Sequence, residues 1–198
     1  MRSVLPEAQV SKSSGSAGDK TLARAFVSVG SNIDPYNNVR NALRLLRRHA
    51  RIAGISTVYL TPAEDRPEQS AYYNCVIGVE TQLPALQFKS SVLRPIEDAM
   101  GRIRTEDKYA ARPIDLDLII YDDVVLETED LELPAPEIRT RPYVAIPLWE
   151  LLPGLRLPGS DETIEDIAGA LPRGKMEPLE QYTRLLRKEL LEDEHPES

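Results

Sequence analysis

The run from residue 112 to residue 121 constrains the fold more than any other part of the chain. Its polar and apolar side chains alternate, as they do along a β-strand with one buried face. Asp115 and Asp117 therefore emerge on one face, and the aliphatic residues between them point to the other. Two adjacent like charges repel each other and stabilise neither the fold nor solubility. A divalent cation explains the pair, and oxygen ligands on one rigid element suit Mg²⁺ better than zinc.

Three arginines precede this acidic pair. Arg102 and Arg104 are separated by one residue, and Arg112 follows shortly before Asp115. A guanidinium binds phosphate oxygens through two parallel hydrogen bonds, and a carboxylate-held metal shares the remaining charge. The combination predicts a site for a magnesium-bound nucleotide. Taken separately, the acidic pair is as compatible with a solvated strand face, and the arginines with a surface charge patch.

The composition excludes several classes of function. A net charge of −8 over 198 residues argues against a nucleic-acid binder, because a phosphate backbone requires a basic surface. The single cysteine, Cys75, excludes an internal disulfide and fits a reducing compartment. Two histidines are too few for a histidine-rich metal centre. No apolar stretch is long enough to span a membrane, so we expect a cytoplasmic protein without a membrane partner.

The chain is expected to divide into three parts. Residues 1–20 are polar and rich in small side chains, which predicts a flexible extension. Residues 21–158 are expected to form the main domain. Residues 159–198 are expected to form a helical C-terminal extension with an acidic tail.

The hydrophobic pattern predicts an α+β fold. Four strands are expected, over residues 25–29, 52–59, 73–80 and the segment that carries the aspartates. One helix should follow the first strand after Asp34, and another should follow the third strand after Pro84. Pro95 lies inside the second helix and predicts a kink there. The order β-α-β-β-α-β is that of a ferredoxin-like core with a largely antiparallel sheet.

The same residues resemble a known family. Gly101-Arg102-Ile103-Arg104, seven residues, and then Arg112-Pro113-Ile114-Asp115-Leu116-Asp117 are similar to the signature of the 6-hydroxymethyl-7,8-dihydropterin pyrophosphokinases of folate synthesis. The resemblance covers roughly Ala25 to Leu155. Its supporting pieces are Gly30-Ser31-Asn32, Thr61-Pro62, Tyr72-Tyr73-Asn74, and Arg141 with Tyr143.

The resemblance implies an enzyme that transfers pyrophosphate from ATP to the pterin hydroxymethyl group and releases AMP. It implies ATP as co-substrate and two Mg²⁺ ions, held by Asp115 and Asp117. The catalytic residues implied are Arg102, Arg112, Asp115 and Asp117. The ATP-binding residues implied are Glu97, Arg104, Arg112, Leu118 and Arg141. The pterin-binding residues implied are Thr61, Pro62, Tyr72, Asn74, Tyr109 and Tyr143.

The resemblance also implies that residues 105–111 form a lid over both substrates. ATP and the pterin are the expected partners. A monomer is expected, and the alternative is a homodimer formed through the C-terminal helix.

The chain departs from the family pattern at several positions. Ala135 stands where a histidine that touches ATP phosphates is usual, and Tyr109 stands where a tryptophan is usual. Two rival functions therefore stay open. One is a non-catalytic or retuned pterin- or nucleotide-binding paralogue. The other is a two-metal phosphoesterase, which is disfavoured because such enzymes need more metal ligands than one carboxylate pair.

Overall fold

A computed structural model describes residues 22–63, 66, 68–103, 107 and 110–192. Its strands are β1 Ala23–Ser31, β2 Arg51–Ile55, β3 Tyr59–Thr61, β4 Tyr72–Thr81, β5 Asp115–Tyr121, β6 Leu126–Glu127, β7 Glu132–Leu133 and β8 Glu177–Pro178. Its α-helices are α1 Pro35–Leu46, α2 Ala85–Phe88, α3 Arg94–Ala99, α4 Pro142–Leu151, α5 Ile164–Ala170 and α6 Glu180–Leu191. A π-helical turn spans Lys89–Leu93, and a 3-10 turn spans Pro136–Arg139. Within these residues, no helix has both the length and the apolar character needed to cross a bilayer.

One antiparallel sheet organises the molecule. Its strand order is β5-β1-β4-β3-β8, and β2 also pairs with β4. The predicted ferredoxin-like order of strands and helices is confirmed. The second predicted strand is instead broken into β2 and β3. Ser56 lies at the break, where its amide donates to the Val76 carbonyl at 3.0 Å and its hydroxyl accepts from the Val76 amide at 2.9 Å. The serine side chain thus takes the place of a regular backbone pairing.

The first helix begins directly after Asp34, where the sequence predicts, although the Asp34 side chain does not cap it. Asp34 adopts a left-handed conformation with φ 41° and makes no side-chain cap to the helix backbone. Its carboxylate instead accepts two 3.0 Å hydrogen bonds from the Asn37 side chain. Pro35 occupies the first turn, where a missing N–H costs nothing.

The helix after Pro84 is interrupted. It runs as α2, then the π-helical turn, then α3, and the turn ends directly before Arg94-Pro95. Because Pro95 cannot donate a backbone hydrogen bond, the widened turn accommodates the lost contact, and the predicted irregularity is confirmed. Gly101, with φ 82°, ends this helical region.

The two faces of the sheet pack against different helices. One face carries Val27, Val29 and Ile77 and packs against α1, α3 and α6. The other face carries Phe26 and Val76 and packs against α4 and α5. Strand alternation therefore sends neighbouring residues of β1 and β4 into two separate cores.

The last two described elements, β8 and α6, pack against the elements that precede them. The last strand, β8, pairs with β3, and α6 places Tyr182, Leu186 and Leu190 in the main core. The helical character predicted for the C-terminal part of the chain is therefore seen over Glu180–Leu191. Whether residues 159–198 form a separate extension stays a prediction, although β8 and α6 share the sheet and core of the preceding domain.

Candidate active site

A cavity of about 330 Å³ opens on the face of the sheet that packs against α4. Its volume falls within the range of small-molecule sites. The residues that line it come from β1, β3, β4, β5, α4 and the connections between them: Ser28, Gly30, Thr61, Pro62, Ala63, Gln69, Tyr72, Asn74, Arg112, Asp115, Asp117, Ile119, Glu137, Arg141, Tyr143 and Val144.

The register of three strands forms the floor of this cavity. Gly30 on β1 pairs with Asn74 on one side and with Asp115 on the other. Ser28, two residues earlier, pairs with Asp117. The prediction that both carboxylates emerge on one face is therefore confirmed. Gly30 needs to lack a side chain here, because a Cβ at this position would lie 3.0 Å from Asn74 Oδ1.

Two guanidiniums neutralise Asp115. Arg102 Nη1 donates to Asp115 Oδ1, and Arg112 Nη1 donates to Asp115 Oδ2 at 2.5 Å. All three side chains are about one-fifth exposed, so water screens these pairs less than surface pairs. Two of the three predicted arginines thus meet the predicted metal pair.

Asp117 has the opposite electrostatic environment. Among the residues that the structure describes, none forms an ion pair with it. Its side chain reaches open space at the cavity floor, but surrounding protein displaces much of its hydration shell. This loss of hydration, followed by the charges of Asp115 and Glu97, raises the pKa of Asp117 to about 7. The two aspartates are thus unequal, since Asp115 is paired with two guanidiniums and Asp117 has a pKa raised to about 7.

Glu97 acts from behind the cavity wall. It is 3% exposed, and its Oε1 accepts from Arg102 and from the Leu116 amide, the latter at 2.9 Å. Burial lowers the pKa of Arg102, but the charges of Asp115 and Glu97 outweigh it and leave the pKa raised. Glu97 therefore anchors Arg102 to the start of β5. It does not line the cavity, and its predicted contact with ATP stays a prediction.

The Gly30-Ser31-Asn32 turn positions Arg112. Asn32 Oδ1 accepts from the Arg112 amide at 2.8 Å, and the Arg112 carbonyl accepts from the Asn32 amide at 3.2 Å. Ser31 Oγ donates to the Pro113 carbonyl at 2.6 Å. From the sequence alone this turn reads equally well as a simple strand-to-helix connection. In the structure it connects β1 to the segment that carries the cavity arginine.

A second group of predicted residues gathers beside the acidic pair. Asn74 Nδ2 donates to Thr61 Oγ1 at 2.6 Å, and both side chains are buried. Tyr72 lines the cavity next to them, and burial is the main cause of its raised pKa. Pro62 and Tyr143 complete this side. An amide flanked by aromatic rings suits a flat heterocycle with a polar edge.

The remaining predicted residues are placed differently. Arg141 precedes α4 and lines the cavity, and its predicted contact with ATP stays a prediction. Leu118 is 2% exposed and belongs to the main core, so its predicted contact with ATP stays a prediction that this placement does not favour. Arg104, Tyr109 and most of the predicted lid lie outside the described residues. Ala135 is 6% exposed and packs in the second core beside α4.

Several lining residues were not predicted. Ser28, Ile119 and Val144 follow from strand register and helix position, which only the fold supplies. Gln69 accepts from Asn32 Nδ2 at 3.1 Å and so continues the turn that holds Arg112. Glu137 is an exposed carboxylate on the 3-10 turn before Arg141. Glu137 lies two residues after Ala135, where a histidine that touches ATP phosphates is usual in the family. This nearness in the sequence is a signal that could have identified Glu137.

The donor set suits magnesium. Asp115 and Asp117 offer oxygen atoms only, and no third histidine, cysteine or acidic residue joins them within the part of the chain that the structure describes. Magnesium commonly takes one or two protein carboxylates and completes its shell with water and substrate phosphates. The pair therefore fits a metal that arrives with a polyphosphate, and it does not fit a preformed multi-ligand centre.

Comparison with known proteins identifies relatives over most of the chain. The family model for 7,8-dihydro-6-hydroxymethylpterin-pyrophosphokinase (HPPK) matches residues 26–153. A 2-amino-4-hydroxy-6-hydroxymethyldihydropteridine pyrophosphokinase from Synechocystis sp. is 37% identical, covering 71% of this chain and 72% of that protein. The protein of the same name from Haemophilus influenzae is 29% identical, covering 70% of this chain and 88% of that protein.

Other relatives are much longer. The folic acid synthesis protein FOL1 of Dictyostelium discoideum is 31% identical over 80% of this chain, which spans only 23% of that protein. A crystal structure of HPPK-DHPS from Plasmodium falciparum superposes with a TM-score of 0.61 at 14% identity, covering 78% of this chain and 44% of that one. At this identity the superposition shows a shared fold.

Proposed function

Because the chain belongs to the 7,8-dihydro-6-hydroxymethylpterin-pyrophosphokinase family, we propose that it transfers pyrophosphate from ATP to 6-hydroxymethyl-7,8-dihydropterin. The hydroxymethyl oxygen forms a bond to the β-phosphorus of ATP. The bond from that phosphorus to the α-phosphate oxygen breaks, AMP leaves, and the hydroxyl proton passes to solvent. The products are AMP and the pterin diphosphate of folate biosynthesis.

One observation carries this proposal. The carboxylate pair Asp115–Asp117 and the amide–hydroxyl pair Asn74–Thr61 lie in one cavity, on opposite sides of Gly30. The first pair, with its arginines, suits a magnesium-bound polyphosphate, and the second suits a flat ring with hydrogen-bonding edges. A donor of phosphoryl groups and a heterocyclic acceptor would thereby be held side by side. Holding two reactants in this way accelerates a reaction because they no longer need to meet by diffusion.

The arginines are proposed to exchange partners during binding. In the structure Arg102 and Arg112 are bound to Asp115. Asp115 and Asp117 would hold Mg²⁺, which would neutralise the negative charge of the ATP phosphates. Arg102 and Arg112 would then turn from Asp115 to phosphate oxygens, where a guanidinium can bind in bidentate geometry. Arg141, which also lines the cavity, is proposed to contact the same nucleotide.

Asn74 and Thr61 are proposed to fix the pterin ring. Their mutual hydrogen bond of 2.6 Å orients the amide before substrate arrives. Tyr72 and Tyr143 would offer aromatic surface to the ring, and Pro62 would close its edge. Because no side-chain nucleophile is required, positioning and charge neutralisation would provide most of the rate enhancement.

The finer statements about the protein belong to the same proposal. We propose two magnesium ions per nucleotide, a monomeric protein and a cytoplasmic location. The single, fully buried Cys75 fits a reducing compartment. Equilibrium sedimentation would test the monomer, and metal titration in the presence of an ATP analogue would count the ions.

AMP release measured with ATP, Mg²⁺ and 6-hydroxymethyl-7,8-dihydropterin tests the function directly. The expected result is AMP formation that requires all three components. The matched control is Asp117→Asn, which keeps the shape of the side chain and removes the charge. It should bind the pterin and release no AMP.

The two rival functions predict other outcomes of this assay. A non-catalytic binding protein would bind the pterin or the nucleotide without releasing AMP. A phosphoesterase would release phosphate or pyrophosphate from ATP when the pterin is absent. Either result with the unaltered protein would overturn the proposal.

A further inference from the structure

The family match ends at residue 153, but the chain continues into contact with a strand of the site. We define the C-terminal clamp as residues 177–191, which comprise β8 and α6. Its strand pairs Glu177 with Leu60 and Pro178 with Tyr59. The strand β3, which carries Thr61, is therefore bordered by β4 on one side and by the clamp on the other.

The clamp binds the backbone just before β3. Leu179 donates its amide to the Val58 carbonyl at 2.8 Å, and Thr183 Oγ1 accepts from the Val58 amide at 2.9 Å. The Thr183 hydroxyl in turn donates to the Leu179 carbonyl at 2.9 Å. Val58 is fully buried, so both of its backbone groups depend on the clamp for their hydrogen bonds.

A further contact reaches the back of β4. Tyr182 lies against Tyr73, with ring centroids 5.4 Å apart and edge-to-face geometry. Tyr73 is flanked by Tyr72 and Asn74, which point to the cavity on the opposite face of the sheet. The clamp thus supports, from the core side, both strands that carry the Asn74–Thr61 pair.

We infer that the C-terminal clamp is a positioning element for the pterin half of the site, with Thr183 as its main positioning residue. This inference rests on the proposed function. Thr183 holds Val58, Val58 leads directly into β3, and β3 fixes Thr61 against Asn74. The nucleotide half, built on β5 and the 101–114 connection, makes none of these contacts in the residues that the structure describes. A change in the clamp should therefore alter the KM for the pterin more than the KM for ATP.

Steady-state kinetics of Thr183→Val in the full-length protein test the inference. Valine keeps the shape of threonine and removes the acceptor for the Val58 amide. The buried Val58 amide then lacks a hydrogen-bond partner, and the free-energy cost of this loss loosens β3. The KM for the pterin should rise by about 5- to 10-fold, whereas the KM for ATP should change by less than about 2-fold. Thr183→Ser, which keeps the hydroxyl, should restore a pterin KM close to that of the unaltered protein.

Thr163→Val is the matched control. Thr163 also accepts from a backbone amide, that of Asp166 at 3.1 Å, but it caps α5 on the other face of the sheet. This variant should be destabilised and should keep both KM values. Equal rises of the two KM values in Thr183→Val, or a pterin KM that rises as much in Thr163→Val, would overturn the inference.

Hydrogen exchange of the same proteins provides a second measurement that does not depend on turnover. Amides of residues 56–61 should exchange faster in Thr183→Val than in Thr183→Ser, and unchanged exchange there would also overturn the inference. AMP release by the unaltered protein separates this inference from the function. An active parent with an unaffected Thr183→Val variant refutes the clamp alone, whereas an inactive parent refutes both.

Discussion

Replacing Asp117 by asparagine should stabilise the metal-free protein and abolish pyrophosphate transfer. In the folded chain the pKa of Asp117 is about 7, against an ordinary value of 3.8. Between these two pH values the folded protein holds a proton that the unfolded chain has already lost. The free energy of unfolding therefore falls as pH rises from about 4 to about 7, and the whole penalty is present above pH 7.

The size of the penalty follows from the same numbers. Each tenfold change in proton affinity is worth about 1.4 kcal/mol, so the ceiling is about 4 kcal/mol. Because the Asp117 side chain reaches open space in the cavity, water and ions screen it, and we expect about 1 to 2 kcal/mol. Asparagine removes the charge, so this stabilisation should be seen at pH 8 and should vanish near pH 3, where the Asp117 carboxyl is protonated in both the folded and the unfolded chain.

Urea unfolding of the metal-free protein at both pH values measures the effect. Asp123→Asn is the matched control, because Asp123 is an exposed carboxylate in the turn after β5. Its free energy of unfolding should match that of the parent at both pH values. An Asp117→Asn protein no more stable than the parent at pH 8, or equally stabilised at pH 3, would refute the reasoning. Added Mg²⁺ with an ATP analogue should stabilise the parent and leave this variant unchanged.

Three further perturbations follow from the same site. Asp115→Asn should destabilise the metal-free protein by about 1 to 3 kcal/mol, opposite in sign to Asp117→Asn, because Arg102 and Arg112 lose a charged partner; urea unfolding at pH 7 checks this. Gly30→Ala should raise the pterin KM about tenfold with little change for ATP, since the new methyl displaces the Asn74 amide; Gly169→Ala, which meets nothing within 4 Å, is the control. Ala135→His should destabilise the protein by about 1 to 3 kcal/mol in urea unfolding, because Ala135 is buried in the second core and does not line the cavity; an unchanged free energy of unfolding would show that the core has room for the imidazole.

The shared face of the two aspartates in the candidate site could be predicted because it depends on strand alternation. Asp115 and Asp117 are two residues apart on one strand, so any β-strand places them on the same face. Gly101, whose missing Cβ permits its positive φ, and Pro95, which lacks a backbone N–H, also act through their own chemistry. These features are local, and local features can be read from sequence.

Other features depend on contacts between distant segments. Nothing near Glu97 in the sequence indicates that its carboxylate would be buried against Arg102 and the Leu116 amide. The break between β2 and β3 depends on Ser56 meeting Val76, twenty residues away. The same holds for β8, whose two residues have no strand pattern of their own and pair only because α6 delivers them to β3. Such features become visible only when the sheet is assembled.

The central strand β4 limits how this protein can change in length. Along it, Tyr72 and Asn74 face the cavity while Tyr73 and Cys75 face the hydrophobic interior, and the pairing with neighbouring strands on both sides fixes that alternation. A single inserted or deleted residue would rotate every later side chain to the wrong face, which few point substitutions could repair. Evolutionary insertions and loop grafts should therefore be tolerated at the connections over 82–84 and 122–125, and excluded from the strand itself.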